Sequence, residues 1–141
     1  MLVNLLLYSD RFKSVDDDFI EEIIYKASSY NYKNEITGVL LCSKTNFIQL
    51  LEGDIVVIYD LFKKIKYNQS HSKIIILSQS QIPNRAFNKW YCSYINEKNN
   101  IINSFKTDYP HCEFKKHVIE GEFINSIGLS YLQKFYQQNF N

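Results

Sequence analysis

The sequence predicts an α+β domain: a ferredoxin-like mixed sheet of five strands with two helices on one face, followed by C-terminal helices. Three observations lead there. Short apolar runs alternate with segments of helical periodicity in the order βαββαββ. One break of hairpin length joins neighbouring strands while helices separate others, so a single mixed sheet with both helices on one face is the economical solution. The chain has 141 residues, enough for one domain that buries roughly 70% of the surface its unfolded form exposes.

Residues 2–8, LVNLLLY, are apolar on both faces, as a buried strand is, and lead to a turn-like Ser9-Asp10. Ser14 is placed to cap a helix whose first turn is acidic and whose Val15, Phe19, Ile20, Ile23, Ile24 and Ala27 recur at helical spacing. Strands are expected at 36–42 and 46–52, separated by Ser-Lys-Thr. Asp54 can cap a second helix reaching about Tyr67, with Ile58, Leu61, Phe62 and Ile65 on one side and Lys63, Lys64 and Lys66 near its C-terminus, where cations suit the dipole. Strands at 73–77 and around Trp90–Tyr94 follow, the second after a Pro83-Asn84 turn. The asparagine-rich EKNNIINS reads as a flexible joint. It separates a domain over 1–95 from an extension over 96–141, whose Phe123, Ile124, Ile127, Tyr131, Leu132 and Phe135 suit an amphipathic helix. That extension is expected to cover the open sheet face or to dimerise, and a homo-oligomer is anticipated.

Composition removes several function classes. With 16 Lys+Arg against 15 Asp+Glu, no basic face is expected for nucleic acid or an anionic membrane. The apolar runs fall short of the roughly 18 residues that suggest a membrane span. No signal-peptide pattern opens the chain, and three cysteines without CxxC spacing suggest a reducing, cytoplasmic setting. Four glycines, none closely spaced, exclude GxGxxG and GxxxxGK phosphate cradles. His111, Cys112 and His117 match no zinc spacing, and Cys42 and Cys92 read as core thiols. RNA binding by surface aromatics lacks the RGFGFVxF-type motif.

Gln49 is the unusual residue. In NFIQLLE, Phe47, Gln49 and Leu51 share one strand face and Ile48 and Leu50 the other, so an amide sits in a doubly apolar strand. Burying it without partners costs about 1–3 kcal/mol, so something should be bonded to it: a neighbouring strand, a water or a ligand. Tyr8, ending the first strand, can sit inside with its hydroxyl reaching a partner.

Taken together these residues resemble the BLUF domains, sensors of blue light using FAD. The resemblance rests on Tyr8-Ser9 ending the first strand, Asn31 leading to Ile36-Thr37-Gly38, FIQLLEG around Gln49, Phe87-x-x-Trp90, and His71 after the second helix. It covers about residues 2–95. It implies a flavin whose ring lies between the two helices, edge-on to the sheet, with FAD as cofactor. Tyr8 would be electron and proton donor to the excited flavin, and Gln49 the amide between Tyr8 and the ring. Asn31 would bond the ring's polar edge, Ile23 and Ile65 would pack on its faces, and Trp90 would belong to the photoactive group. Lys64, Asn68 and His71 would face the pyrimidine edge or phosphates. The family's rearrangement leaves the flavin oxidised and slightly red-shifted, decaying in the dark. The chain departs from the family in having Trp90-Tyr91-Cys92 for Trp-Ser-Met, and Lys64, Asn68 and Ser70 where Arg, Asp and Arg are common. The expected function is thus a non-enzymatic photoreceptor read by an unidentified protein or a change of oligomer. A light-insensitive interaction module on the same fold is the alternative.

Overall fold

The computed structural model describes residues 1–11, 16–67, 71–103 and 127–140. In these, six strands and three helices follow in the order β1 (Leu2–Arg11), α1 (Asp17–Lys33), β2 (Thr37–Cys42), β3 (Asn46–Asp54), α2 (Ile55–Lys66), β4 (His71–Gln81), β5 (Trp90–Ile95), β6 (Ile101–Asn103) and α3 (Ile127–Phe140). The strands form one sheet in the order β4-β1-β3-β2-β5-β6. All neighbours are antiparallel except β2 and β5, which run parallel. The first four strands keep the ferredoxin-like arrangement, and β5 and β6 extend it.

Local chemistry explains the boundaries. Asp16 caps α1, its Oδ1 accepting from the Phe19 N–H at 2.9 Å; Ser14, the expected cap, lies outside the described residues. Asp54 caps α2 as its position foretold, accepting from the Val56 N–H at 3.0 Å. The β2–β3 turn dispenses with glycine because the Ser43 hydroxyl accepts from the N–H groups of Thr45 (3.3 Å) and Asn46 (3.0 Å).

Two expectations about the chain path are corrected. Ser9-Asp10 is not a turn: β1 continues to Arg11, with Ser9 opposite Phe47 and Asp10 opposite Asn46, because β3 offers ladder partners that far. The EKNNIINS segment is a hairpin through residue 103 and not a joint. Asn96 Oδ1 accepts from the N–H groups of Lys98 (3.0 Å) and Asn100 (2.8 Å), Asn99 adopts a φ of 66°, and the chain returns as the sixth strand, β6, against β5.

The sheet separates two apolar layers. On one face Val3, Leu5, Leu7, Leu40, Leu51 and Trp90 pack with Ile20 and Ile24 of α1 and with Ile58 and Ile65 of α2. On the other, Leu6, Val39, Leu41, Ile48, Leu50, Phe87 and Tyr91 pack with Leu132, Phe135, Tyr136 and Phe140 of α3. The C-terminal helix therefore covers the face that two helices would have left bare. Its buried stripe runs through Tyr136 and Phe140, whereas Tyr131 is 48% exposed; Phe123 and Ile124 lie outside the described residues. Gly38 is required where β2 crosses β3: its φ is 135°, a Cβ would run into the Leu50 carbonyl oxygen, and the Trp90 ring lies 3.4 Å from that position.

Candidate functional site

A cavity of about 340 Å³ opens between α1 and α2 above the sheet, within the range of about 300–1,000 Å³ typical of small-molecule sites. Its α1 wall is Phe19, Ile23, Ala27, Tyr30 and Asn31, one face of a helix read at intervals of three and four, with the ion pair of Glu22 and Lys26 (2.8 Å) at its edge. Leu61, Lys64 and Ile65 of α2 form the opposite wall, and Leu40 and Gln49 project from the sheet. Five residues singled out in the sequence, Ile23, Asn31, Gln49, Lys64 and Ile65, thus meet in one place. Apolar side chains supply most of the walls, two amides supply directed polar groups, and Lys64, Lys26 and Glu22 supply charge.

Asn31 carries the clearest polar signal in the cavity. Its side chain is 1% exposed, and its Oδ1 is one of two buried side-chain polar atoms without a hydrogen-bond partner among the described residues. A buried acceptor without a donor costs about 1–3 kcal/mol. An acceptor at a cavity with mainly apolar walls fits a planar heteroaromatic ring that presents an N–H edge, which is what a flavin offers.

Strand register decides the rest. Leu7, Gln49, Leu40 and Cys92 lie abreast on β1, β3, β2 and β5, on the cavity side. Tyr8 does not join them. It pairs with Ile48, so its phenol points to the α3 face, with its ring centroid 6.2 Å from that of Phe135 in an edge-on contact. The expected neighbourhood of Tyr8 and Gln49 is corrected accordingly. LVNLLLY is apolar on both faces, and in such a strand the pattern does not fix which parity faces the helices. Trp90 is buried on the cavity side of the sheet without lining the cavity, and its Nε1 is the other unpartnered polar atom. Lys64 holds its ammonium 4.3 Å from the centroid of the Tyr30 ring, joining the two walls. His71 begins β4 opposite Arg11, and Asn68 lies outside the described residues. Cys42 and Cys92 are buried and in no disulfide; burial pushes the Cys42 thiol up to about 12, against the pull of Arg11.

Sequence reasoning passed over two features. Tyr30 lines the cavity, and its one-position offset from Asn31 on the helix was the available signal. Glu52 is fully buried on the α3 face. Its carboxylate accepts from the N–H groups of Ala86 (2.7 Å) and Phe87 (3.0 Å) and from the Thr37 hydroxyl (3.0 Å), while Arg85 donates to Thr37 Oγ1 and to the Glu52 carbonyl. Glu52 thereby ties β2 and β3 to the loop that delivers Trp90. The argument that singled out Gln49, a polar side chain in a doubly apolar strand, applied to it equally.

The fold is thus an α+β sheet domain with two helices on one face and a mainly apolar slot between them that carries two amides. The family described as "Sensors of blue-light using FAD" matches residues 2–93, and the chain belongs to this family, the BLUF domains, whose cofactor is FAD. It is 33% identical over 70 residues to the blue light- and temperature-regulated antirepressor BluF of Escherichia coli K12, a match covering 50% of this chain and 17% of that protein. Among solved structures it resembles BlsA in its ground state (32% identity, TM-score 0.60, 69% of this chain and 66% of that one). It also resembles a bacterial light-regulated adenylyl cyclase (26% identity, TM-score 0.65, 98% of this chain and 35% of that one). The chain thus spans about a third of the cyclase and less than a fifth of the antirepressor. Among the described residues no helix is long and apolar enough to cross a membrane.

Proposed function

We propose that this chain is a non-enzymatic, cytoplasmic blue-light receptor that holds the FAD ring in the cavity between α1 and α2 and signals through the Gln49 amide to a partner protein or a second copy. The observation that carries the reading is the orphaned Asn31 Oδ1 in a mainly apolar slot. FAD, when bound, supplies blue absorption and an excited state able to accept an electron. The residues do the rest. Ile23 and Ile65 flank the ring, Asn31 accepts from its N–H edge, and Lys64, Asn68 and His71 serve its more polar parts.

Gln49 is suited to switching because a primary amide carries both an acceptor and donors, and rotating or tautomerising it exchanges which groups it bonds. One such exchange nets only about 1 kcal/mol, roughly a fivefold change in population, whereas driving a switch from 1:99 to 99:1 needs about 5.5 kcal/mol. A cooperative element must therefore amplify it. Strand β3 supports that role: Gln49 faces the cavity while its neighbours Ile48 and Leu50 pack in the layer with Leu132 and Phe135 of α3. Tyr8, expected as the donor, touches this output side through Phe135 and makes no hydrogen bond to Gln49 across the sheet. Cys92 extends the same row to β5, with Trp90 two positions away on the same face. Purified protein that is yellow, and whose absorption shifts reversibly to the red in blue light, is the expected result. A stably folded protein that takes up no added FAD contradicts it.

A further inference from the structure

The two walls of the slot touch on its solvent side. Asn31 and Gln49 lie deep, 1% and 7% exposed, whereas Tyr30 is half-buried and Lys64 exposed, so the Lys64 ammonium, 4.3 Å from the centroid of the Tyr30 ring, reaches from α2 to α1 nearer the solvent. The other polar ties of these helices lead elsewhere: the Tyr94 hydroxyl donates to Glu21 at 2.6 Å, the Glu97 N–H to Asp17 at 3.1 Å and the Tyr59 hydroxyl to Gln79 at 2.6 Å. Lys26, the second cation on the slot, is taken by Glu22 at 2.8 Å. Among the described residues Lys64 and Tyr30 are thus the pair that joins wall to wall. From this placement we infer that their contact is a clasp that governs how fast the flavin enters and leaves, an inference that rests on the flavin reading above.

The chemistry of the pair suits a contact that opens and closes. A cation over an aromatic face is held by the ring quadrupole, and at an exposed site that attraction is modest. The four-carbon stem of Lys64 is flexible and its ammonium is well hydrated once it swings into water, so the contact can break and re-form while the apolar walls at Ile23 and Ile65 stay in place. Both partners belong to the protein. A ring passing between the walls therefore has to meet the contact open, whether it is going in or coming out. Removing the contact should speed both directions by the same factor, about 2- to 5-fold for an exposed cation–π pair.

Stopped-flow mixing of FAD with the full chain freed of flavin measures entry, and the return of free-flavin fluorescence after dilution measures release. Lys64→Met, which keeps the stem and removes the charge, and Tyr30→Leu, which removes the ring, should each raise both rates about 2- to 5-fold. The double variant should be no faster than either single one, because both substitutions break the same contact. Lys64→Arg and Tyr30→Phe, which keep a cation and a ring, should hold the wild-type rates; a general loosening of the helices gives no reason for that rescue. An effect of Lys64→Met on release alone, or one of equal size in the Tyr30→Leu background, would mean that Lys64 grips the flavin directly and overturns the clasp. Unchanged rates in both single variants overturn it as well. In each of these cases FAD still binds and the flavin reading stands, whereas failure of all forms to take up FAD overturns both.

Discussion

Leu7, and not Tyr8, is the β1 residue that lies opposite Gln49 in the β1–β3 ladder. Successive side chains on a strand point to opposite faces, so this single register assignment puts the Gln49 amide on the helix side and the Tyr8 phenol on the α3 side. The two residues that the sequence motif groups together are thus separated by the thickness of the sheet, and the cavity is furnished instead by Asn31, Gln49 and Tyr30.

Asn31→Ala should weaken FAD binding while sparing the fold. Removing the acceptor deletes one neutral hydrogen bond to the ring, about 1 kcal/mol or a fivefold loss of affinity, measured by fluorescence titration. The ligand-free protein should lose little stability, because the orphaned Oδ1 disappears with the substitution. A large drop in the urea midpoint with unchanged affinity would show that Asn31 serves packing only.

Glu52 should make stability fall as pH rises. Burial raises its carboxyl pKa, with the Ala86 and Phe87 N–H groups, Thr37 and Arg85 acting the other way. An acid whose folded pKa is raised holds its proton more tightly when folded. Its contribution is therefore fully present below the unfolded pKa of about 4.3 and is lost as pH rises through the folded value. In Glu52→Gln this part of the slope should vanish in urea titrations across that range. Glu52→Ala, which strands the Ala86 and Phe87 N–H groups, should cost about 2–4 kcal/mol at neutral pH, on the scale of 1–3 kcal/mol per unpaired buried group.

Phe135→Ala should loosen α3. The side chain is 8% exposed and meets both Tyr8 and Phe140, and truncating a buried Phe costs about 3–5 kcal/mol. Limited proteolysis should cut near the C-terminal helix faster than in wild type, while the sheet with α1 and α2 stays protected. Unchanged cleavage would mean that α3 docks without this anchor.

How far the sequence could be read depended on the kind of signal each element carries. The helices were legible because Asp54 and the i, i+3, i+4 stripes through Ile20, Ile24, Ile58 and Ile65 are local and periodic. Ile23 and Ile65 of the cavity wall were legible for the same reason, lying on those stripes, whereas Asn31 was legible only through the family resemblance. The face taken by Tyr8 was not, since a strand apolar on both sides carries no parity signal. Nor was β6, three residues long, whose turn depends on one asparagine side chain, Asn96, and one left-handed residue, Asn99. Glu52 escaped notice because its partners on the 85–87 loop are more than thirty residues away in the chain.

The most direct measurement is the light-minus-dark absorption difference of the FAD-loaded wild type beside Gln49→Leu, a substitution close in volume that removes every hydrogen-bonding atom of the side chain. Wild type should show a reversible red shift, and Gln49→Leu should bind FAD and show none. A normal red-shifted state in Gln49→Leu would contradict the assignment of Gln49 as the switching group.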